Sequence, residues 1–255
     1  MTGRALLFDV GNTRIKWGVL DGRDLARTGS VRHSTLRERG MESLTRKLPK
    51  RVDAALACNV AGPDVAKRLA RSIGIHIGGD LRFARSEAAA HGLVNGYRRP
   101  RSLGVDRWVA MVGAWAEFRS ALCVVDAGTA LTIDAVDAGG QHLGGEILPG
   151  IRLMGDALAI DTSDIGAARR RPVRLEGPAD WFAGTTQMAV AAGSVNALCG
   201  AVDRAMMLLA ELGIAPTLVL TGGDASRILS GLGGSPEHRP NLVLHGLAHM
   251  VQSDA

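Results

Sequence analysis

Three short acid-bearing segments hold most of the chemistry this sequence can offer. The first is Asp9-Val10-Gly11-Asn12-Thr13-Arg14-Ile15-Lys16, the second Asp126-Ala127-Gly128-Thr129, and the third Leu103-Gly104-Val105-Asp106-Arg107. In the first two an apolar run ends in Asp, turns at a glycine and resumes with alternating apolar residues, the pattern of strand, tight turn and strand. A glycine without Cβ lets a bulky anion approach the backbone N–H groups of the turn, and Asn12 and Thr13 add side-chain donors. Asp9 sits where a carboxylate can hold a divalent cation against a bound phosphate, directly or through water. A single such hairpin reads as a plain turn whose Asp and Asn satisfy the backbone. A second copy, one residue shorter in the turn, points instead to a duplicated phosphate grip. In the third segment an Asp and an Arg adjoin at a glycine just before a helix expected from about Trp108 to Phe118. Free N–H groups at a helix start orient and support a carboxylate there, and the Arg offers a planar fork for a carboxylate on a substrate.

The elements that must position these groups follow from periodicity. After the first hairpin, Leu25–Val31 reads as a third strand, and Leu36–Leu48 as a helix closed by Pro49. Val52–Val60 reads as a buried strand, Pro63–Ile73 as a helix, and Ile75–Ile77 and Leu81–Phe83 as short strands. The second hairpin is followed by a strand at Gln141–Leu148, a helix from about Ile151 and an exposed, Arg-rich loop over Asp161–Glu176. An Ala-rich helix then follows Gly184-Thr185-Thr186 and runs through Leu209. Thr217–Thr221 is a parallel-type strand entering the Gly222-Gly223 turn, Leu242–Leu244 a last short strand, and Gly246–Val251 a final helical turn or two. Three strands followed by alternating helix and strand, occurring twice, describe two mixed α/β layers. Two such units suggest a nucleotide held between them, with the Gly222-Gly223 turn close to its adenine or ribose.

Composition narrows the class. The chain has 255 residues, ample for a sizeable core, and 46% of them are hydrophobic, which excludes a disordered chain. The net charge of +5 is carried largely by dispersed Arg, dense only at Arg98-Arg99-Pro100-Arg101 and Arg169-Arg170-Arg171. Neither group has the interleaved aromatics of a nucleic-acid module, so a solvated surface that attracts anionic substrates is expected, and no nucleic-acid partner. No apolar run is long enough for a membrane span, and the N-terminus enters the first strand with no room for a signal peptide. Cys58, Cys123 and Cys199 are scattered, as reduced cysteines of a cytoplasmic protein would be. His245 and His249 have helical spacing but no third ligand, and Trp17, Trp108, Trp115 and Trp181 read as core residues.

The paired hairpins and the Gly222-Gly223 turn resemble the superfamily of acetate and sugar kinases, heat-shock 70 ATPases and actin. Within it, the sequence is similar to the type III pantothenate kinases, the group that includes the Bvg accessory factor proteins. The resemblance rests on Asp9-Val10-Gly11-Asn12-Thr13, Gly96-Tyr97 with Pro100, Leu103-Gly104-Val105-Asp106-Arg107, Asp126-Ala127-Gly128-Thr129, Gly144–Gly150 and Thr186. It implies a duplicated ribonuclease H-like (actin-like ATPase) fold of two mixed-sheet α/β domains, 1–118 and 119–255, with a cleft between them. It also implies ATP-dependent phosphorylation of pantothenate, the first step towards coenzyme A.

By resemblance, Asp9, Val10, Gly11, Asn12, Thr13, Arg14, Ile15 and Lys16 form the ATP-phosphate loop and Thr129 touches ATP. Asp106 is the proton acceptor, and Tyr97, Gly104, Val105, Asp106, Arg107 and Thr186 contact pantothenate. Asp126 is a ligand of a monovalent cation (K⁺ or NH₄⁺), Asp9 a Mg²⁺ site, and the protein a cytoplasmic homodimer. The spacing to Gly193 favours Thr186 over Thr185, while the preceding sequence leaves that choice open. Val105 and Ala127 depart from the usual residues, but both are apolar. The alternatives are another small-molecule kinase or phosphatase of the superfamily, or a non-enzymatic transcriptional accessory factor.

Overall fold

The computed structural model describes residues 3–161 and 181–253, and within it the chain divides into two compact units. The first begins with β1 (Arg4–Val10), β2 (Arg14–Asp21) and β3 (Asp24–Arg32), then α1 (His33–Arg39), α2 (Glu42–Thr45), β4 (Ala54–Asn59) and α3 (Pro63–Ile77). Three two-residue strands follow, β5 (Arg82–Phe83), β6 (Ala89–Ala90) and β7 (Leu93–Val94), and then α4 (Val105–Phe118). The second unit comprises β8 (Leu122–Ala127), β9 (Ala130–Val136), β10 (His142–Pro149), α5 (Ile151–Asp161), α6 (Thr186–Glu211), β11 (Thr217–Thr221), α7 (Ala225–Ile228) and β12 (Glu237–His238). The last element, α8 (Leu242–Ser253), returns to the first unit.

The two five-stranded sheets share one topology, β3-β2-β1-β4-β5 and β10-β9-β8-β11-β12. In each, the first three strands are antiparallel and the last two run parallel to the central strand. This is the duplicated ribonuclease H-like fold that the family resemblance implies. Burial explains why the central strands form where they do. Leu6, Leu7, Phe8 and Val10 of β1 are all buried, as are Leu122, Cys123, Val124 and Val125 of β8. A strand covered on both faces reads as a continuous apolar run rather than an alternation.

Several boundaries differ from the sequence reading, each for a local reason. The helix expected over Leu36–Leu48 is two pieces, because Gly40 ends α1 at φ 71°. Ile75–Ile77 is the end of α3 and not a strand; Gly78, in the left-handed region, caps it by donating to the Gly74 carbonyl. Leu242–Leu244 is the first turn of α8, since a short apolar run does not distinguish a strand from a buried helix. Residues 241–253, assigned by sequence to the second domain, pack in the first unit with residues 3–119. The docking is close: a Cβ on Gly113 of α4 would lie 2.8 Å from the Leu242 carbonyl oxygen, and one on Gly246 would collide with that of Val109. The expected loop beyond Asp161 and the Arg169–Arg171 group lie outside the described residues.

Candidate active site

In the first unit, the turn between β1 and β2 is tied at three backbone points. Gly11 N donates to the Arg14 carbonyl (3.1 Å), His33 N to that of Thr13 (3.1 Å), and Val60 N to that of Val10 (3.0 Å). The β1–β2 register sets Asp9 opposite Lys16, whose ammonium lies 3.5 Å from the carboxylate. Burial nonetheless raises the Asp9 pKa above its ordinary 3.8; Lys16 opposes the rise, and the Asp106 carboxylate adds to it. Asp9 and Asp106 are therefore electrostatic neighbours.

Asp106 stands in the first turn of α4, which starts three residues earlier than expected, with Gly104 as its N-cap. The carboxylate folds back so that Oδ1 accepts from the Arg107 N–H at 2.9 Å. A Cβ on Gly104 would sit 2.7 Å from that oxygen, so the glycine is what leaves room for this orientation. Arg107 is buried, donates from Nη1 to the Tyr97 hydroxyl at 2.8 Å, and holds its guanidinium 5.6 Å from the centre of the Tyr97 ring. Five of the residues singled out by sequence, Tyr97, Gly104, Val105, Asp106 and Arg107, thus form one continuous group.

The second unit repeats the turn. Gly128 N donates to the Ala130 carbonyl (3.0 Å), Gly150 N to that of Thr129 (3.0 Å), and Asp224 N to that of Ala127 (2.9 Å). Here two glycines crowd the turn. A Cβ on Gly150 would lie 2.6 Å from the Thr129 oxygen, and one on Gly222 would overlap the Ala127 carbonyl and reach 2.5 Å from Asp126 Oδ1. Gly222 also has φ 104°, which an L side chain tolerates poorly. Opposite Asp126 in the register stands the neutral Thr132. Thr185 is the N-cap of α6, its hydroxyl accepting from Met188 N at 3.3 Å, and Thr186 is the first helical residue.

Sequence reasoning missed three positioning residues. His33 Nε2 lies 2.7 Å from the Gly11 carbonyl, and because a carbonyl only accepts, Nε2 carries the proton. Asn95 accepts from Tyr97 N (3.0 Å) and donates to the Glu87 and Pro100 carbonyls, while Ser86 donates to the Leu103 carbonyl at 2.9 Å. An Asn two residues before Tyr97 is an Asx-turn signal available in the sequence; His33 and Ser86 carry none.

Among the described residues no group of three or more His, Cys, Asp or Glu side chains could cage a metal. The carboxylates at hand, Asp9 with Asp106 as its electrostatic neighbour, are a donor set of the kind Mg²⁺ uses, since it binds one or two carboxylates and takes its other ligands from phosphate and water. At the half-buried Asp9, whose ionised form is disfavoured by desolvation and by the Asp106 carboxylate, such a cation would offset negative charge.

Comparison with known proteins identifies the family and the fold. A sequence model of the type III pantothenate kinases matches residues 5–207. A type III pantothenate kinase of Nitrosococcus oceani is 36% identical over 263 residues, covering 97% of this chain and 93% of the relative. Two solved structures share the fold at low identity. One, a putative 2-dehydro-3-deoxygalactonokinase from Sinorhizobium meliloti, has a TM-score of 0.64 at 14% identity, covering 98% of this chain and 99% of its own. The other, a putative Baf family transcriptional activator from Campylobacter jejuni, has a TM-score of 0.59 at 20% identity, with 98% of both chains covered. The match over most of the chain, together with near-full-length identity to a named member, shows that this protein belongs to the type III pantothenate kinase family.

Proposed function

We propose that the protein transfers the γ-phosphoryl group of ATP to the primary alcohol of pantothenate, giving 4′-phosphopantothenate, the first step of coenzyme A biosynthesis. The observation that carries this reading is the joining, within one unit, of a phosphate-type turn bearing Asp9 to the Asp106–Arg107–Tyr97 group.

In this reading the Gly11-Asn12-Thr13 turn, whose Gly11 N–H is committed to the Arg14 carbonyl, holds ATP phosphates through its backbone beyond Gly11 and the Asn12 and Thr13 side chains, and Lys16 adds positive charge. Arg107, its fork oriented by Tyr97, pairs with the pantothenate carboxylate. Asp106 accepts the proton of the attacking hydroxyl. An ordinary Asp, with a pKa of about 3.9, is a weak base, but a loose phosphoryl-transfer transition state asks mainly for positioning and charge stabilisation. Mg²⁺ beside Asp9 would neutralise charge developing on the phosphate oxygens. In the second unit, Thr129 is an ATP contact and Asp126, facing a neutral Thr132, binds a monovalent cation. Thr186 is preferred to Thr185 as a pantothenate contact because the Thr185 hydroxyl already caps α6.

A homodimer and a cytoplasmic location complete the proposal. The dimer is supported by Ile147 on the edge strand β10 and by Leu153, Leu158 and Phe182, all exposed on the second unit. Exposed apolar groups, and a strand edge with no strand beside it among the described residues, invite a partner. No described helix is long and apolar enough to cross a membrane.

The test is a coupled assay of ADP release with ATP and pantothenate, with and without potassium. Pantothenate-dependent, potassium-stimulated release is expected. ADP release that ignores pantothenate, or follows another small alcohol, would reject the assignment.

A further inference from the structure

The Arg98–Arg101 group that the proposed function leaves unused lines part of a separate basin. Arg99 and Arg101 lie on one wall of a cavity of about 800 Å³ in the first unit. Arg82 and Arg85, more than a dozen residues earlier in the chain, lie on the same cavity, and Leu56, Phe83 and Met250 give it an apolar lining. Against these four guanidinium groups the lining holds one carboxylate, Glu87. Like charges gathered from two chain segments repel one another, and a concave surface of one sign concentrates the opposite ion. Its volume is that of a small-molecule site.

The basin is neither the phosphate turn nor the acceptor group, since Asp9, Tyr97, Gly104, Asp106 and Arg107 do not line it. It is nonetheless stitched to the acceptor loop. Asn95 bonds both the Pro100 carbonyl (3.2 Å) and Tyr97 N (3.0 Å). Ser102 Oγ donates to the Arg99 carbonyl at 2.7 Å, and Ser86, itself on the cavity wall, holds the Leu103 carbonyl next to Gly104. A ligand that draws Arg99 and Arg101 towards Arg82 and Arg85 pulls on the loop between Tyr97 and Gly104.

We propose that this arginine-lined basin binds a small organic phosphate ester, its phosphate on the guanidinium groups and its apolar body on Leu56, Phe83 and Met250, and that occupancy weakens acceptor binding through the 95–104 loop. The binding half stands without the kinase assignment; the kinetic half rests on it.

The experiment titrates full-length protein with phenyl phosphate and, as control, inorganic phosphate by calorimetry, for wild type and for the double variant Arg82→Ala/Arg85→Ala. Phenyl phosphate should bind wild type about threefold or more tighter than inorganic phosphate through the apolar lining, and the variant should lose about tenfold in affinity with the charge-assisted bonds. In kinetics at saturating ATP, phenyl phosphate should raise the pantothenate KM of wild type at least about threefold, leave its ATP KM within about twofold, and have little effect on the variant. Unchanged phenyl phosphate affinity in the variant would overturn the site. So would inhibition purely competitive with ATP, which would place the anion on the phosphate turns. Variant-sensitive binding with no pantothenate-dependent turnover would keep the site and reject the kinase reading instead.

Discussion

The two units secure their acid-bearing turns with the same three backbone hydrogen bonds but with different side chains. Where Gly150 donates to the Thr129 carbonyl in the second unit, His33 donates to that of Thr13 in the first and adds its ring to the Gly11 carbonyl. Where the second unit crowds Gly222 against Ala127 and Asp126, the register of the first sets Asn59 opposite Val10. Asp9 faces Lys16 across the sheet; Asp126 faces Thr132. The first unit also carries Asp106, Arg107 and Tyr97, whereas exposed Ile147, Leu153, Leu158 and Phe182 belong to the second. A duplicated scaffold has thus diverged: one half carries the Asp9–Lys16 pair and the Asp106–Arg107–Tyr97 group, the other a glycine-lined backbone frame.

The strongest test of that division is Asp106→Asn. If proton acceptance belongs to the first unit, kcat should fall by about 10²–10⁴-fold while calorimetry finds ATP affinity essentially unchanged. A fall in ATP affinity of the same size would mean that Asp106 serves the nucleotide, and the contrast would dissolve. Next in size is Gly222→Ala. A Cβ there meets the Ala127 carbonyl at φ 104°, so we expect a loss of about 2–4 kcal/mol in denaturant unfolding, read from probes in the second unit. By contrast Gly11→Ala, in the β1–β2 turn, meets only the Arg14 oxygen at 3.6 Å, as its counterpart Gly128 meets the Ala130 oxygen at 3.6 Å, and should cost less than about 1 kcal/mol of stability. Equal destabilisation by the two would show that both turns depend on glycine alike.

A smaller effect separates the two ways of bracing a turn. His33→Ala removes one hydrogen bond to the Gly11 carbonyl and should raise the ATP KM about five- to tenfold, with the pantothenate KM unmoved. His33→Gln, whose amide can donate to the same oxygen, should recover most of the loss. A rise in both KM values, or no rescue by Gln, would make His33 a fold residue only.

How much of this was legible beforehand differs by level. The hairpins were readable because an apolar run, an Asp and a glycine turn are local signals, and their recurrence announced the duplication. Helix ends were less so. Gly40 splits one expected helix and Gly78 ends another four residues later than expected, and each acts through a backbone conformation rather than through hydrophobic pattern. The return of α8 to the first unit depends on Gly113 and Gly246 meeting across more than 120 residues, a contact no local window contains. In the site, Asp106 and Arg107 were visible because they are adjacent. The bracing by His33 and Ser86 was not, because their partners are backbone carbonyls, which have no identity in a sequence.

The mildest prediction concerns Asp9, the one acid of the first turn whose ionisation the fold itself resists. Its folded pKa lies above the ordinary 3.8, chiefly through burial, so the neutral form is favoured by folding. The sign follows directly. Below 3.8 the group is protonated in both folded and unfolded chains and costs nothing; as pH rises through the raised folded value, a destabilising penalty develops and is complete above it. Asp9→Asn removes that penalty, so at neutral pH the variant should melt about 1–3 °C above wild type while losing activity, and the gap should close as pH falls towards 3.8. Lys16, left without its partner, is partly exposed and can turn to solvent, which limits the opposing loss. Magnesium with ADP should narrow the gap from the other side by raising the wild-type melting temperature more than that of the variant. A variant that melts below wild type at neutral pH would mean that the Lys16 pair outweighs burial, and that Asp9 is a structural anchor rather than a charge held ready for a cation.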